Sequence, residues 1–299
     1  MRSKHQRMKA TCAAMCLTAL AALAFAGSAS AKLTGEYTKF AECPYTNTEV
    51  KKCLYSPTEG GEVVLGLKKV PITSTAVLKG GFGKPDKITK FSTFYAPTDG
   101  ITLSKAPQSV PGGLLGIVPP EKSPTLVKLL SAFFFENALT GVNSTLELAK
   151  TASDIKISEA HLSEEKGVAL EMPVKVHLEN PFLGKSCYVG SSTSPIVFKL
   201  SSGFTEPPEP TKPIRGKAGE LELLEEGAVL RLKGAELDDN AWSAPTASGC
   251  GGILSFLVNP IINSQLGLPS AAGKNTAILK NTVNVAAAAA VKLNNEEHP

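Results

Sequence analysis

The chain has 299 residues, of which 31 are Lys or Arg and 27 are Asp or Glu, and Trp242 is its only tryptophan. Four of the basic residues and none of the acidic ones lie in the first 31 positions, so residues 32–299 carry 27 charges of each sign. A chain without net charge and without clusters of Lys or Arg does not attract a phosphate backbone. These numbers exclude nucleic acid as a partner.

The first 31 residues have the three parts of an export signal. A basic start precedes an apolar run over residues 10–26, and the triplet Ala29-Ser30-Ala31 is typical of a cleavage site. The apolar run is shorter than the ~20 residues of a membrane span, which argues against a membrane anchor. We expect cleavage between Ala31 and Lys32, and no transmembrane helix in the processed chain. The expected location is therefore secreted, extracellular or in the cell envelope.

The first predicted strands follow Cys53. The segments "CLYS" and "EVVLGL" flank the turn-forming residues 57–61, so this region predicts a hairpin. Val70–Leu78 predicts a further strand, which either lies at a sheet edge or begins at a bulge, because Pro71 cannot donate a hydrogen bond. The glycine-rich run Gly80–Gly83 lacks the Lys-Ser/Thr pair and the helix that a phosphate-binding loop requires.

Residues 123–135 fit two kinds of element. Ser123-Pro124 is typical of a helix start, and the leucines that follow have helical spacing. The run "AFFF" within this segment suits a buried strand as well. We favour a short helix, and the strand stays open.

The clearest strand lies in the segment Gly167–Cys187. Its apolar residues fall on every second position: Val168, Leu170, Met172, Val174, Val176 and Leu178. This period of two predicts a strand with one buried face and one solvent face, with His177 on the solvent side. Residues 163–167 favour a turn, so we expect Ile155–Leu162 to be the other strand of an antiparallel hairpin.

The C-terminal third continues this pattern. Residues 196–200 and 276–285 predict single strands, residues 219–234 predict a hairpin, and residues 253–268 predict a helix in two pieces that separate at Pro260. Gly203–Pro213 contains four prolines and predicts an extended surface connection. The fold class we expect is mainly β: a single antiparallel β-sandwich-like domain over residues 32–299 with one or two short helices, stapled by disulfides.

Four cysteines remain after signal removal, namely Cys43, Cys53, Cys187 and Cys250. An even number of cysteines in an exported chain favours disulfides, and three pairings are open. The shortest loop favours Cys43–Cys53, which leaves Cys187–Cys250. Metal ligation would need paired C-x-x-C spacing or histidine partners, which the sequence lacks, so we expect no metal site and no cofactor.

The other candidate residues are isolated. His161, His177 and His298 have no G-x-S-x-G nucleophile motif to serve, so we expect no catalytic residue. Asp238-Asp239-Asn240 gathers oxygen ligands, but the segment lacks the alternating spacing and the distal Glu of a calcium loop. We interpret these three residues as a solvated turn.

Three segments carry a resemblance: "MPVKVHLENPFLGKSCYVGSS", "SAPTASGCGG" and "LGLPSAAGKNTAIL". They resemble an uncharacterised family of exported proteins from soil actinobacteria, over most of residues 32–299. The resemblance implies export and the presence of Cys187 and Cys250, and it brings no established activity, ligand or site residue.

These observations predict a secreted or cell-envelope protein with a non-enzymatic binding or structural role. A pore-forming or lipid-binding envelope protein is the first alternative, and a contiguous apolar patch on the surface would favour it. A secreted hydrolase is the second, and a pocket that joins His161 or His177 to a serine or an acid would favour that. The envelope and a second copy of the chain are the candidate partners.

Overall fold

A computed structural model of the protein describes residues 32–113, 125 and 141–298. The expected signal sequence with its cleavage site after Ala31 lies outside these residues. So does the ambiguous segment 123–135, apart from Thr125.

The described chain is mostly β, as predicted. Its strands are β1 (Lys52–Leu65), β2 (Lys68–Pro71), β3 (Ala76–Phe82), β4 (Ser92–Tyr95), β5 (Gln108–Val110), β6 (Val142–Leu148), β7 (Lys156–Ile157), β8 (Leu170–Glu179), β9 (Tyr188–Val189), β10 (Ile196–Leu200), β11 (Glu220–Leu224), β12 (Val229–Asp239), β13 (Ala247–Ser248) and β14 (Thr276–Ala287). The α-helices are α1 (Glu159–Glu164), α2 (Ser255–Leu266) and α3 (Ala288–Glu297), and short 3₁₀ helices cover Gly35–Phe40, Ala152–Asp154, Glu225–Gly227 and Gly252–Leu254.

The strands form one antiparallel sheet that folds over on itself. The order along the sheet is β11-β12-β14-β1-β3-β4-β7-β8-β6-β5, with β2 beside β1, with β9 and β10 beside β8, and with β13 beside β9. One core cluster holds Leu54 and Leu279 from the first half of the sheet together with Met172 and Phe198 from the second. The two halves therefore face each other as two layers, which confirms the β-sandwich-like prediction.

Strand β8 confirms the period-two interpretation for its inner face. Leu170, Met172, Val174 and Leu178 are buried, and Val176 is partly buried against the same core. The outer face is not a free solvent face, because only 15% of the His177 side chain is exposed. The expectation of a solvent-exposed His177 is wrong, and neighbouring strands supply the side chains that cover it.

The predicted hairpin around residues 57–61 is also wrong, because β1 runs through this segment without turning. It pairs with β3 as far as Thr58 and with β14 along both of its halves, and the register shifts between Thr58 and Gly60. Gly61 has φ of 107°, and a Cβ there would collide with the carbonyl oxygen of Ile278. The glycine therefore serves a close approach of two strands within the sheet.

Helix α1 replaces most of the strand that was expected over Ile155–Leu162. Only the short β7 pairs with β8, and the Ser158 hydroxyl then caps a helix by accepting a hydrogen bond from the backbone N–H of His161. The other helix prediction also needs correction, since α2 continues through Pro260 as one twelve-residue helix. The hairpin over residues 219–234 is confirmed as β11 and β12.

The disulfides join Cys43 to Cys53 and Cys187 to Cys250, which is the predicted pairing. Their Cα–Cα distances are 5.6 Å and 4.1 Å. The first fastens the N-terminal segment to β1. The second fastens the start of β9 to the chain just before α2.

The proline-rich connection 203–213 is held against the rest of the described chain. The Thr205 hydroxyl donates to Asn240 Oδ1 at 2.6 Å, and Asn240 Nδ2 donates to the carbonyl of Lys212 at 2.9 Å. Thr211 donates to the carbonyl of Gly273 at 3.1 Å. These bonds tie both ends of the connection down.

Candidate ligand cavity

An apolar cavity of about 140 Å³ lies between the two layers. Inward-facing side chains of strands from both layers line it, as the alternation along each strand requires. Several lining residues pack against the core and are nevertheless only partly buried, because the cavity rather than protein lies beside them: Val63, Val70, Ile72, Leu103, Leu146 and Val176. The alternation along each strand predicts that these residues face inward, but it does not predict that a cavity remains between them.

Side-chain hydrogen bonds hold one rim of this cavity. Gln108 at the start of β5 accepts from the backbone N–H groups of Thr73 and Ser74 at 2.7 Å and 2.9 Å. Its amide nitrogen donates to the carbonyls of Ser74 and Ala106. The loop between β2 and β3 is thereby fixed to β5 by side-chain hydrogen bonds.

Lys68 is the one titratable residue among the described residues that line the cavity. It forms no ion pair with any residue in the described part of the chain, whereas its neighbour Lys69 pairs with Glu62 at 2.6 Å. Lys68 also borders a smaller cavity of about 30 Å³, which Ile262 and Leu266 of α2 help to line. An ammonium group beside apolar walls is suited to the head group of an anionic amphiphile.

Two polar residues of the cavity wall, Thr58 and Asn281, are hydrogen-bonded to each other. Thr58 donates to Asn281 Oδ1 at 2.6 Å, and Asn281 Nδ2 donates to the carbonyl of Leu279 at 2.9 Å. They therefore add no uncompensated polar group to the cavity wall.

The three histidines in the described part of the chain all lie outside the set of residues that line this cavity. His161 lies in α1, where its Nδ1 is 2.9 Å from the carbonyl oxygen of Val168, and His298 is exposed at the end of α3. Within residues 32–113 and 141–298, no serine hydroxyl bonds to the ring of His161 or His177. The geometry thus gives no nucleophile–base pair at either ring.

His177 belongs to a charged cluster on the outer side of β8. Its ring stacks on Tyr188 with centroids 4.4 Å apart, and its Nδ1 is 3.6 Å from Glu179 Oε1 and 3.9 Å from Glu147 Oε1. Burial acts to raise the pKa of Glu147, but the ammonium groups of Lys105 and Lys175 outweigh it and hold that pKa below its usual range. The cluster is a set of cross-strand ion pairs that covers this face of the sheet.

The interpretation of Asp238-Asp239-Asn240 as a solvated turn is wrong. All three are buried at the end of β12, with 2%, 1% and 4% exposure. The Asp239 carboxylate accepts from the backbone N–H groups of Lys199 and Ala241 at 2.6 Å and 2.8 Å. Residues 201–218 cover this site. Because the covering segment is distant in sequence, the pattern of residues 238–240 alone does not predict their burial.

Asp238 is the exception in this group. Its Oδ1 has no hydrogen-bond partner among the described residues, and burial, with a smaller effect from Glu236, raises the pKa of its carboxyl to about 6. No cluster of His, Cys, Asp and Glu in the described ranges is suited to hold a metal ion.

A wider recess of about 430 Å³ lies outside the core, beside β10. Lys199, Phe204 and Trp242 are among the residues that line it. Its buried carboxylate, Asp239, already accepts hydrogen bonds from two backbone N–H groups. The apolar cavity between the layers is the better candidate site.

The described chain contains no helix long and apolar enough to cross a membrane. Comparison of the chain with protein-family models, with curated proteins and with solved structures finds no match.

Proposed function

We propose that this protein is an exported, non-enzymatic binding protein whose ligand is a small anionic amphiphile. The apolar part of the ligand occupies the cavity between the two layers, and its anionic head lies near Lys68. The cavity itself is the observation that carries this proposal. At about 140 Å³ it is close to the engineered apolar cavity of about 150 Å³ that binds benzene in another protein.

The size of the cavity bounds the affinity. Moving an apolar group of benzene size out of water gains about 3 kcal/mol, as for a buried Leu or Phe side chain. A partly exposed ion pair with Lys68 adds up to about 1 kcal/mol. Together these terms correspond to a Kd of about 1 mM for the smallest ligands, since that value equals about 4 kcal/mol.

Two further observations support the proposal. The two disulfides are compatible with an oxidising, extracytoplasmic compartment. Lys68 is the one titratable side chain on the described cavity wall, and general acid–base catalysis needs a positioned group that gives or takes a proton at the reacting atom. A wall of aliphatic side chains with one cation favours binding over reaction.

Hexanoate is a suitable first probe, with binding followed by chemical-shift changes of Leu and Val methyl groups. We expect saturable shifts confined to cavity-lining residues. Ala76→Leu places extra atoms in the cavity and should abolish these shifts, whereas Thr75→Leu, an exposed neighbour outside the cavity, should preserve them. Shifts that are absent in the parent protein, or that survive Ala76→Leu unchanged, would refute the proposal.

A further inference from the structure

Helix α2, the 3₁₀ turn before it and the loop between β8 and β9 present a large apolar surface, which we call the α2 face. It consists of Phe182, Ile253, Leu254, Phe256, Leu257 and Ile261, whose exposed fractions run from 51% to 95%. Leu257 and Ile261 lie one turn apart on the same side of the helix, and Ile253 belongs to the 3₁₀ turn that precedes it. Scattered exposed apolar residues are ordinary, but five that fall within nine consecutive residues mark an interaction surface.

The sequence around this face is uncharged. From Asn240 to Gly273 the chain contains no Asp, Glu, Lys, Arg or His. The inner side of α2 is apolar as well, with Ile262 and Leu266 buried against the core. A surface helix normally carries charged residues on its outer side, so α2 is built for an apolar environment on both sides.

The helix is held firmly in this position. Asn259 accepts from the backbone N–H of Cys250 at 2.9 Å, and Asn263 bonds to both the N–H and the carbonyl of Ala247. The Cys187–Cys250 disulfide and a 2.7 Å bond from Gly251 N to the carbonyl of Leu183 fix the turn in front of the helix. The exposed residues are therefore a constant feature of the surface, not the result of a loosely attached helix.

We propose that the α2 face docks onto a lipid bilayer, with α2 lying in the plane of the interface. The twelve residues of α2 span about 18 Å at 1.5 Å per residue, which is too short for a hydrocarbon core of ~30 Å. A helix of this length contacts lipid from the side, and the loop that carries Phe182 also carries the exposed Lys185, a cation that lipid phosphates would attract.

The chemistry of the face favours lipid over a protein partner. Protein interfaces are enriched in aromatic residues, Met and Arg, and the residues that dominate their binding energy are mostly Tyr, Trp and Arg, which combine apolar contact with hydrogen bonds. The α2 face contains Ile, Leu and Phe alone, and none of these side chains can donate or accept a hydrogen bond. Lipid acyl chains have no hydrogen-bonding groups, so they can cover this face without leaving a donor or acceptor unpaired.

Vesicle flotation tests the docking. The probe is vesicles of roughly three parts phosphatidylcholine to one part phosphatidylglycerol. Their anionic surface would attract Lys185. The protein is purified after export, with its N-terminus checked by intact mass so that no signal sequence contributes. The test variant Phe256→Gln/Leu257→Gln keeps the net charge, and both positions are exposed, so its melting temperature should match that of the parent.

The matched control is Leu221→Gln/Leu223→Gln, which changes two leucines of β11 that are 60% and 63% exposed. We expect the α2 variant to reduce the vesicle-bound fraction by at least about tenfold, as the loss of two buried apolar side chains implies, and the β11 control to leave it unchanged. A parent protein that stays out of the vesicle fraction would overturn the proposal. So would a parent that forms a dimer through the α2 face, with vesicle binding unaffected by the α2 variant.

This test is separate from the test of cavity binding. The α2 variant should still bind hexanoate, and Ala76→Leu should still float with vesicles. Failure of one proposal therefore leaves the other standing.

Discussion

Lys68 and Leu266 border the same two cavities, the larger one between the layers and the smaller one beside α2. The turn between β1 and β2 is fastened to the end of α2 by a 2.8 Å bond from Leu67 N to the carbonyl of Leu266. The lysine therefore stands where the end of the helix meets the cavity wall. An amphiphile with its tail in the cavity would reach this cation with its head.

The first prediction concerns that cation. Lys68→Met keeps the apolar stem and removes the charge, and it should weaken hexanoate binding by about fivefold, the equivalent of about 1 kcal/mol. Lys69→Met is the matched control, because Lys69 is paired with Glu62 and lines neither cavity. Titration calorimetry with hexanoate and with the uncharged hexanol measures the effect. Equal losses for the two ligands would show that Lys68 does not recognise the anion.

The second prediction concerns Asp238. The pKa of its carboxyl is about 6 in the folded protein, above the usual 3.8. Between these two values the unfolded chain has lost the proton and the folded chain keeps it, so the native state is favoured at low pH. That contribution is complete below pH 3.8 and is lost as the pH rises through about 6.

Asp238→Asn removes this pH dependence. Its stability relative to the parent should therefore rise between pH 4 and pH 8, by on the order of 2 kcal/mol. Asp99→Asn is the control, because the hydrogen bond from Lys79 lowers the pKa of Asp99 and its contribution is lost only as the pH falls below 3.8, so this variant should differ from the parent by a nearly constant amount between pH 4 and pH 8. Denaturant midpoints across this pH range decide the matter, and a constant difference between Asp238→Asn and the parent would contradict the buried, unpartnered carboxyl.

Local patterns predicted those parts of the fold that local physics determines. The alternation in β8, the β11–β12 hairpin and the disulfide pairing followed from spacing alone. The turn predicted around Gly60-Gly61 was wrong, because glycine favours turns but also permits two strands to approach closely. Only the pairing of β1 with β14, more than 200 residues apart in sequence, decides between these roles.

The candidate sites were harder to predict for the same reason. A cavity is the space left between side chains of strands that are distant in sequence, so no segment contains its signal. Burial of Asp238 depends on the cover from residues 201–218, and the α2 face depends on which side of the helix meets the core. The sequence did show that the chain from Asn240 to Gly273 is uncharged, and that observation could have indicated the apolar surface.

The third prediction concerns His177, whose stacking on Tyr188 replaces the expected solvent position. His177→Gln removes this ring contact and should lower the free energy of unfolding by on the order of 1 kcal/mol, the usual worth of an aromatic pair. His298→Gln is the control, because that side chain is exposed at the end of α3. Denaturant unfolding of the two variants measures the difference, and equal midpoints would contradict a stabilising contact between His177 and Tyr188.

The last prediction concerns the proline-rich connection. By composition, residues 203–213 would divide the chain into two domains, but we expect one cooperative unit. The Cys187–Cys250 disulfide brackets this connection and holds its two Cα atoms 4.1 Å apart. Ser201 and Asp238 also exchange two backbone hydrogen bonds of 2.9 Å across it, which joins the two layers of the sheet.

Trypsin offers the test at Arg215, which is exposed, whereas the bond after Lys212 is resistant because Pro213 follows it. Cleavage there under non-reducing conditions should leave the fragments associated, and the cut protein should melt in one transition, because both fragments contribute strands to the same core cluster. The uncut protein that has passed through the same incubation is the control. After reduction the cut fragments should still elute together from a sizing column, because the shared core holds them together without the disulfide. Two separate melting transitions, or fragments that part before reduction, would show two domains.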